Sequence, residues 1–424
     1  MRWHRPWALV CGVAWAIGGC DPYAGWRPAN EVYPAVYAPE ADVEPYEAIR
    51  WEAGPWDIGS ELENNGLYAV KAIRHRPGAS WDSLVHWGRM RATLPPFDTS
   101  ATLQLSFVGD IMGTGSTVPG MDEVTPLLDG EWRLGNLETP VDPSQPIALP
   151  TVDSLAFNSP PELLGALPLD AVQLNNNHSL DWGDTGLEAT MAEVEAAGLL
   201  GFGVDAGATL WTRSGHRIEV LSFTWGLNDP NAVSTHELFV VPFGQSDGDW
   251  TAMLQAISAA RDSGPDAVVV LTHWGFEYEY FPAPETQTVA REMVAAGADV
   301  VVGHGPHVVQ PAERCLVNIP AVAPDVGTCS VRSADGQPRV AAVFYSLGNF
   351  GTTQPGWPLR SGMVGHVSME PGQGVTGLGW DALVHREDGD SRLAPLAQTD
   401  PDPELAAEAA RIRTHLGAGW QRIR

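Results

Sequence analysis

The chain has 424 residues, 44% of them hydrophobic and 18% charged, with a net charge of −28. That apolar content suffices for a sizeable globular core, and the acidity opposes phosphate backbones, so no nucleic-acid partner is expected. Lys71 is the single lysine; this excludes a G-x-x-x-x-G-K-[ST] phosphate loop and leaves Schiff-base chemistry one residue to rest on.

Arg2, His4 and Arg5 precede a short apolar run, Trp7 to Ile17, too short for a comfortable membrane span. The run ends in Ile17-Gly18-Gly19-Cys20, which looks like a bacterial lipoprotein lipobox. Cleavage before Cys20 and its lipidation are expected, giving an exported, lipid-anchored protein of the bacterial cell envelope with the membrane as partner. The other reading is an ordinary cleaved signal peptide with an incidental Cys. Residues 21–100 form a Pro- and Trp-rich tether and N-terminal extension with little periodicity. The main domain is expected over 101–390 and a C-terminal helical extension over 391–424.

From Thr102 the pattern changes. Leu103, Leu105 and Phe107 alternate with polar partners, as in a strand, and run into Val108-Gly109-Asp110. Further strands are expected at Trp132–Leu137, Ala171–Leu174, Arg217–Phe223, Ala267–Thr272, Asp299–Val302 and Val340–Ser346. Helices are expected from Asp184, as N-cap, to about Ala197, and at Trp250–Ser263, Glu285–Ala296 and Glu404–Leu416. Strands alternating with helices indicate an α/β domain. Cys315 and Cys329, an even pair in an exported chain, read as a disulfide stapling a Pro-rich stretch, with a metal or nucleophilic thiol as the alternative.

The polar residues gather just after strands, where open α/β sheets build their sites. They are Asp110, Glu138, Asn177-His178, His273, and His304 with His307. Singly, each has a plain reading as a turn residue or a hydrogen-bonded histidine. Together they mix O and N donors, a set that suits Zn, Mn or Fe rather than Ca. One or two such divalent metals are expected, and a pair ~4 Å apart polarises a phosphoryl group and generates hydroxide. Gly244-Gln245-Ser246-Asp247-Gly248 matches the G-x-S-x-G nucleophile elbow. Two fixed glycines arise easily in so Gly-rich a chain, and the stretch reads instead as a loop with Asp247 or Asp249 capping a helix.

Six motifs in order resemble the CapA family of bacterial capsule-synthesis or poly-γ-glutamate proteins, whose domain is similar to calcineurin-like metallophosphatases. They are Phe107-Val-Gly-Asp-Ile-Met112, Gly135-Asn-Leu-Glu-Thr-Pro140, Asn176-Asn-His-Ser-Leu-Asp-Trp-Gly183, His273-Trp-Gly-Phe-Glu-Tyr278, Gly303-His-Gly-Pro-His-Val-Val-Gln310 and Tyr345-Ser-Leu-Gly-Asn-Phe350. The resemblance spans about Thr102 to Met369. It implies a four-layer α/β/β/α sandwich. It also implies Asp110 and His307 at one metal, Glu138 as the bridging carboxylate, and Asn177, His273 and His304 at a second. His178 would donate a proton to the leaving group, with Asp181 orienting its ring. Asn136, Glu277 and Asn349, from the same motifs, are expected to contact substrate or support the ligands. Met112 stands where metallophosphatases have a histidine, and Gly305 where the family usually has another. The function this implies is a metal-dependent phosphoesterase-type hydrolase in capsule, poly-γ-glutamate or other surface-polymer metabolism. Its substrate would be a phosphoester or an anionic surface polymer. The alternative is a non-catalytic assembly component that binds a polymer or another envelope protein in a degenerate cleft.

Overall fold

The computed structural model describes residues 97–416, apart from 114, 150–155, 230–231, 242–249, 276, 279, 281, 283, 321–327, 355 and 398. Cys20, nearly all of the 21–100 tether, and the Gly244–Gly248 motif lie outside the described residues. In chain order the strands are β1 Leu103–Ile111, β2 Trp132–Leu137, β3 Ala171–Gln173, β4 Leu200–Phe202, β5 Ala208–Trp211, β6 Arg217–Thr224, β7 Ala267–His273, β8 Val300–His304, β9 Ala312–Val317, β10 Thr328–Val331, β11 Arg339–Phe344, β12 Ser361–Glu370, β13 Gly374–Arg386 and β14 Arg392–Pro395. The helices are α1 Glu162–Ala166, α2 Gly183–Ala196, α3 Thr251–Asp262, α4 Pro284–Ala296, α5 Trp357–Arg360 and α6 Pro403–Leu416. Among the described residues, no helix is long and apolar enough to cross a membrane.

The strands pair in the order β4-β3-β2-β1-β12-β13-β11-β8-β7-β6-β5. One half, β1 to β4, is parallel, with β12 and β13 added antiparallel. The other half, β6-β7-β8-β11, is also parallel. Among the described strands the halves are joined edge to edge at Val340 and Gly374, and their inner faces pack against each other.

Three apolar clusters fill the gaps between four layers. Val108, Ile111, Val172 and Leu174 face outward against Leu163 and Leu164 of α1 and Leu187 and Val194 of α2. Their neighbours Leu105, Phe107 and Leu134 face inward and meet Val269, Leu271, Val300, Val302, Ala342 and Phe344 of the other half. Val268, Val270, Val301 and Val343 then face outward against Met253 and Ile257 of α3 and Val289 and Met293 of α4. Alternate residues of one strand thus serve two different cores, as a pleat requires. The result is the expected α/β/β/α sandwich. Fully burying each such side chain is worth about 1.5–3 kcal/mol.

The longest strands, β12 and β13, are buried on both faces almost throughout, so neither presents a face to solvent. Residues 391–416, read as an extension, are integral. β14 pairs with β13, and Leu405, Ala409, Ile412 and Leu416 of α6 sit in the central cluster. Asp184 does not cap α2. Its carboxylate lies in the first turn and accepts from Ser234 Oγ, and from Thr235 N–H at 2.8 Å and Oγ1 at 2.7 Å, so it anchors a distant loop. Cys315 and Cys329 form a disulfide with Cα atoms 4.4 Å apart. They are register partners on the parallel pair β9 and β10.

Candidate metal centre

The site lies where the C-terminal ends of both parallel halves converge. Asp110 lies one residue before the end of β1, with no exposure. Its N–H donates to Gly348 O at 2.9 Å and its carbonyl accepts from Phe350 N–H at 2.7 Å, which ties the strand to the loop after β11. That approach explains Gly109: a Cβ there would stand 1.9 Å from Gly348 O. Asp110 Oδ1 accepts from Asn136 Nδ2 at 2.9 Å. Its Oδ2 accepts from Gly305 N–H at 3.0 Å and lies 3.2 Å from His307 Nδ1.

Glu138 follows β2, held by its N–H to Ile111 O at 3.0 Å. Its Oε1 is 3.6 Å from both His273 Nε2 and His307 Nε2. Among the described residues neither carboxylate oxygen finds a hydrogen-bond partner, and the residue is fully buried. His273 ends β7, with Nδ1 3.2 Å from Asn136 Nδ2. His304 ends β8 and gives its Nε2–H to Val108 O at 3.1 Å, which leaves Nδ1 as the nitrogen able to ligate. His307 holds a φ of 60° and contacts Asn349 Oδ1 at 3.1 Å and, more loosely, Glu277 Oε1 at 3.9 Å. Tyr278, at φ 64°, gives its N–H to Pro306 O at 2.8 Å. Two non-glycine residues with positive φ side by side mark a backbone over-determined by its surroundings.

The ionisable groups of the cluster shift one another. Burial alone would raise Asp110, but the His307 hydrogen bond and charge hold its carboxyl well below the usual range. Burial pushes Glu138 well above its range, and Asp110 and Glu277 push the same way against the pull of His307. Burial depresses His273 and His304, so both are neutral ligand forms. Burial opposes protonation of His307 too, but Glu138 and Asp110 outweigh it and lift the ring to about 10.

Asp110, Glu138 and His273 bring one donor atom each within 4.8 Å of one another, close to the ~4 Å that separates two ligands across one ion. Two orphaned carboxylate oxygens in a dry interior call for a cation, and the donors present are those of a transition metal. The residues therefore fit the expected group.

Beside this cluster lies an Asn–His unit in the loop between β3 and α2. Asn176 links the two, giving Nδ2–H to Asn136 Oδ1 at 3.1 Å and to Leu137 O at 2.8 Å. His178 Nδ1 is 2.7 Å from Asp181 Oδ2. Phe157 packs edge-on against the His178 ring at 4.5 Å and gives its N–H to the same Asp181 oxygen at 2.8 Å. Asn177 gives Nδ2–H to Asn228 Oδ1 at 2.9 Å, and its own Oδ1 is buried without a hydrogen-bond partner.

The structure thus joins Asp110, Glu138, His273, His307, Asn136, Glu277 and Asn349 by direct contacts, and sets His304 against the β1 backbone. Asn177, His178 and Asp181 form a neighbouring unit. Met112 is buried, at 3% exposure. Gly305 takes φ +107°, and a Cβ there would meet Trp274 O at 2.7 Å and His273 Nε2 at 3.1 Å, so this turn leaves no room for a side chain. Sequence reasoning missed Asn228 and Phe157. The only signal for Asn228 was its place four residues after the end of β6; Phe157 carries none.

Comparison with known proteins supports the family resemblance. The model of the family described as bacterial capsule synthesis protein PGA_cap matches residues 104–354. The capsule biosynthesis protein CapA of Bacillus anthracis is 32% identical over 195 residues, covering 44% of this chain and 40% of that protein. The PGA biosynthesis protein CapA of Bacillus subtilis (strain 168) is 30% identical over 275 residues, 60% of this chain and 64% of its own. Each match therefore spans less than two thirds of the relative's length. A solved structure, a 5'-nucleotidase precursor from Thermus thermophilus, overlaps 66% of this chain and 54% of its own at 14% identity and a TM-score of 0.38.

Proposed function

This chain belongs to the bacterial capsule synthesis protein PGA_cap family, and on that footing we propose that it is a metal-dependent phosphoesterase-type hydrolase serving surface-polymer metabolism. The observation that carries the reading is Glu138, a fully buried carboxylate with both oxygens unpartnered between His273 and His307. Asp110, Glu138, Asn177, His273, His304 and His307 would hold one or two divalent transition metals, Mn, Zn or Fe. Such a metal, when bound, supplies Lewis-acid polarisation of a phosphoryl oxygen. Asn136 fixes the Asp110 carboxylate, and Asn349 and Asp110 fix the His307 ring. His178, steadied by Asp181 and Phe157, would protonate the leaving oxygen from a site with only 7% exposure. The names of the relatives support a capsule or poly-γ-glutamate setting, and the Cys20 lipobox supports lipid anchoring in the cell envelope. Purified protein is assayed on p-nitrophenyl phosphate esters with Mn or Zn. Turnover unchanged by chelation or by His178→Ala would sink the proposal.

A second reading is favoured by Met112 and Gly305, which deprive the first metal position of side chains. In it the cleft binds an anionic polymer or an envelope protein without turnover, and a single metal or an arginine bridges the like charges. Elemental analysis separates the two: two equivalents of transition metal favour the enzyme, one or none the binding component.

A further inference from the structure

We propose that Asn228 is a positioning residue that sets, through one hydrogen-bond chain, which end of the Asn177 amide and which nitrogen of the His178 ring are offered to the metal centre; this rests on the reading of that centre given above. Asn228 comes from the opposite half of the sandwich, in the loop after β6, and gives its backbone N–H to Asn177 O at 2.9 Å. Its Oδ1 accepts from Asn177 Nδ2 at 2.9 Å. An amide nitrogen only donates, so this bond turns the Asn177 Oδ1 away from Asn228. Among the described residues that oxygen is left buried and without a hydrogen-bond partner. The other end of the same side chain, Asn228 Nδ2, reaches Asp181 Oδ1 at 3.2 Å. The second Asp181 oxygen is 2.7 Å from His178 Nδ1. A carboxylate held on one oxygen by Asn228 and on the other by Phe157 N–H accepts from Nδ1–H, which leaves Nε2 free to carry the proton given to the leaving oxygen.

Asn228 Nδ2 also stands 3.0 Å from His178 Nδ1. Were that contact a hydrogen bond, Nδ1 would be bare, and the Asp181 oxygen beside it would itself need a proton. The ring's tautomer therefore decides between the two arrangements. The loop does not depend on Asn228 for its place. Asp184 holds Ser234 and Thr235, and His236 Nδ1 lies 2.7 Å from Asp205 Oδ2. Only half-buried, Asn228 can be replaced with little loss of core.

The test uses the full chain with ¹⁵N-labelled histidine, the His178 signals being identified by their loss in His178→Gln. Long-range ¹H–¹⁵N spectra of the wild type are expected to show a proton on Nδ1. Asn228→Ala is expected to give mixed tautomers and to weaken Mn²⁺ binding about tenfold or more. Asn228→Asp keeps the acceptor for Asn177 and removes the donor to Asp181, so it should disturb the tautomer while holding Mn²⁺ affinity within about threefold. A wild-type ring whose Nδ1 is bare overturns the proposal, as does an Asn228→Ala protein with tautomer and affinity both unchanged. If the wild type binds no Mn²⁺, the metal-centre reading falls, and the tautomer comparison alone decides the positioning role.

Discussion

Replacing Glu138 by Gln isolates the residue on which the metal reading rests. The change keeps the shape and removes the charge. In the metal-free protein Glu138 is fully buried without a hydrogen-bond partner, and burial already opposes its ionisation. The substitution therefore costs the bare fold little, within about 1 kcal/mol, since neither side chain finds full partners. The loss falls on the loaded protein. A ligand at 100 times its Kd stabilises the native state by about 2.7 kcal/mol. Unfolding about 320 residues, from Phe97 to Leu416, carries an entropy near 0.7 kcal/mol/K, so that stabilisation raises Tm by about 4 °C. The assay is thermal melting of wild type and Glu138→Gln, each with chelator and with saturating Mn²⁺ or Zn²⁺. The wild type gains about 4 °C from metal; the variant gains nothing and melts, chelated, within about 2 °C of the wild type. A chelated variant that melts far below the wild type refutes the reasoning, because Glu138 would then be holding the fold. An undiminished metal gain in the variant refutes it equally.

Three further outcomes are expected. His307 is lifted to about 10 and Glu138 is also raised in the fold. Both bind protons more tightly folded than unfolded, so the stability they contribute is present at low pH and lost as pH rises. For His307 that loss runs from its ordinary 6.5 towards 10. The chelated protein should thus lose Tm across that window, while the metal-loaded protein, whose ligands are already deprotonated, should not; parallel curves would count against it. Gly305→Ala, with φ +107° and a Cβ 2.7 Å from Trp274 O, should cost about 2 kcal/mol or more by urea denaturation, and a change below about 0.5 kcal/mol would be the contrary result. Arg411 is buried, pairs with Glu408, gives an N–H to Val309 O at 3.0 Å and lies 4.3 Å from the Tyr280 ring centre. Arg411→Ala strands Glu408 and should cost about 3–5 kcal/mol, measured the same way; a surface-like cost under about 1 kcal/mol would show α6 to be peripheral.

The sequence by itself determined the strand ends and the order of chemistry along them. Asp110, Glu138, the Asn-His pair, His273, His304 and His307 are legible because each follows a run of apolar residues that ends abruptly in a polar one, and because six such motifs recur in family order. It also showed β2 with its bounds, and the helices α2, α3, α4 and α6 to within a residue or two, because these present one apolar face to a neighbour. It did not mark β12 and β13, whose polar residues, among them His366 and Ser368, are buried like the apolar ones and so point to no solvent face. It was equally silent on everything that depends on two distant segments meeting. That Gly109 must lack a side chain is a fact about Gly348, far along the chain. That α6 closes the central core rather than trailing from it follows from where Leu405, Ile412 and Leu416 find apolar partners. Most of all, the pattern of ligand types cannot say which atom of each ligand is offered. Only the folded chain brings Asn228 from one half of the sandwich to Asn177 and Asp181 of the other, and only directional hydrogen bonds across that junction choose an oxygen over a nitrogen.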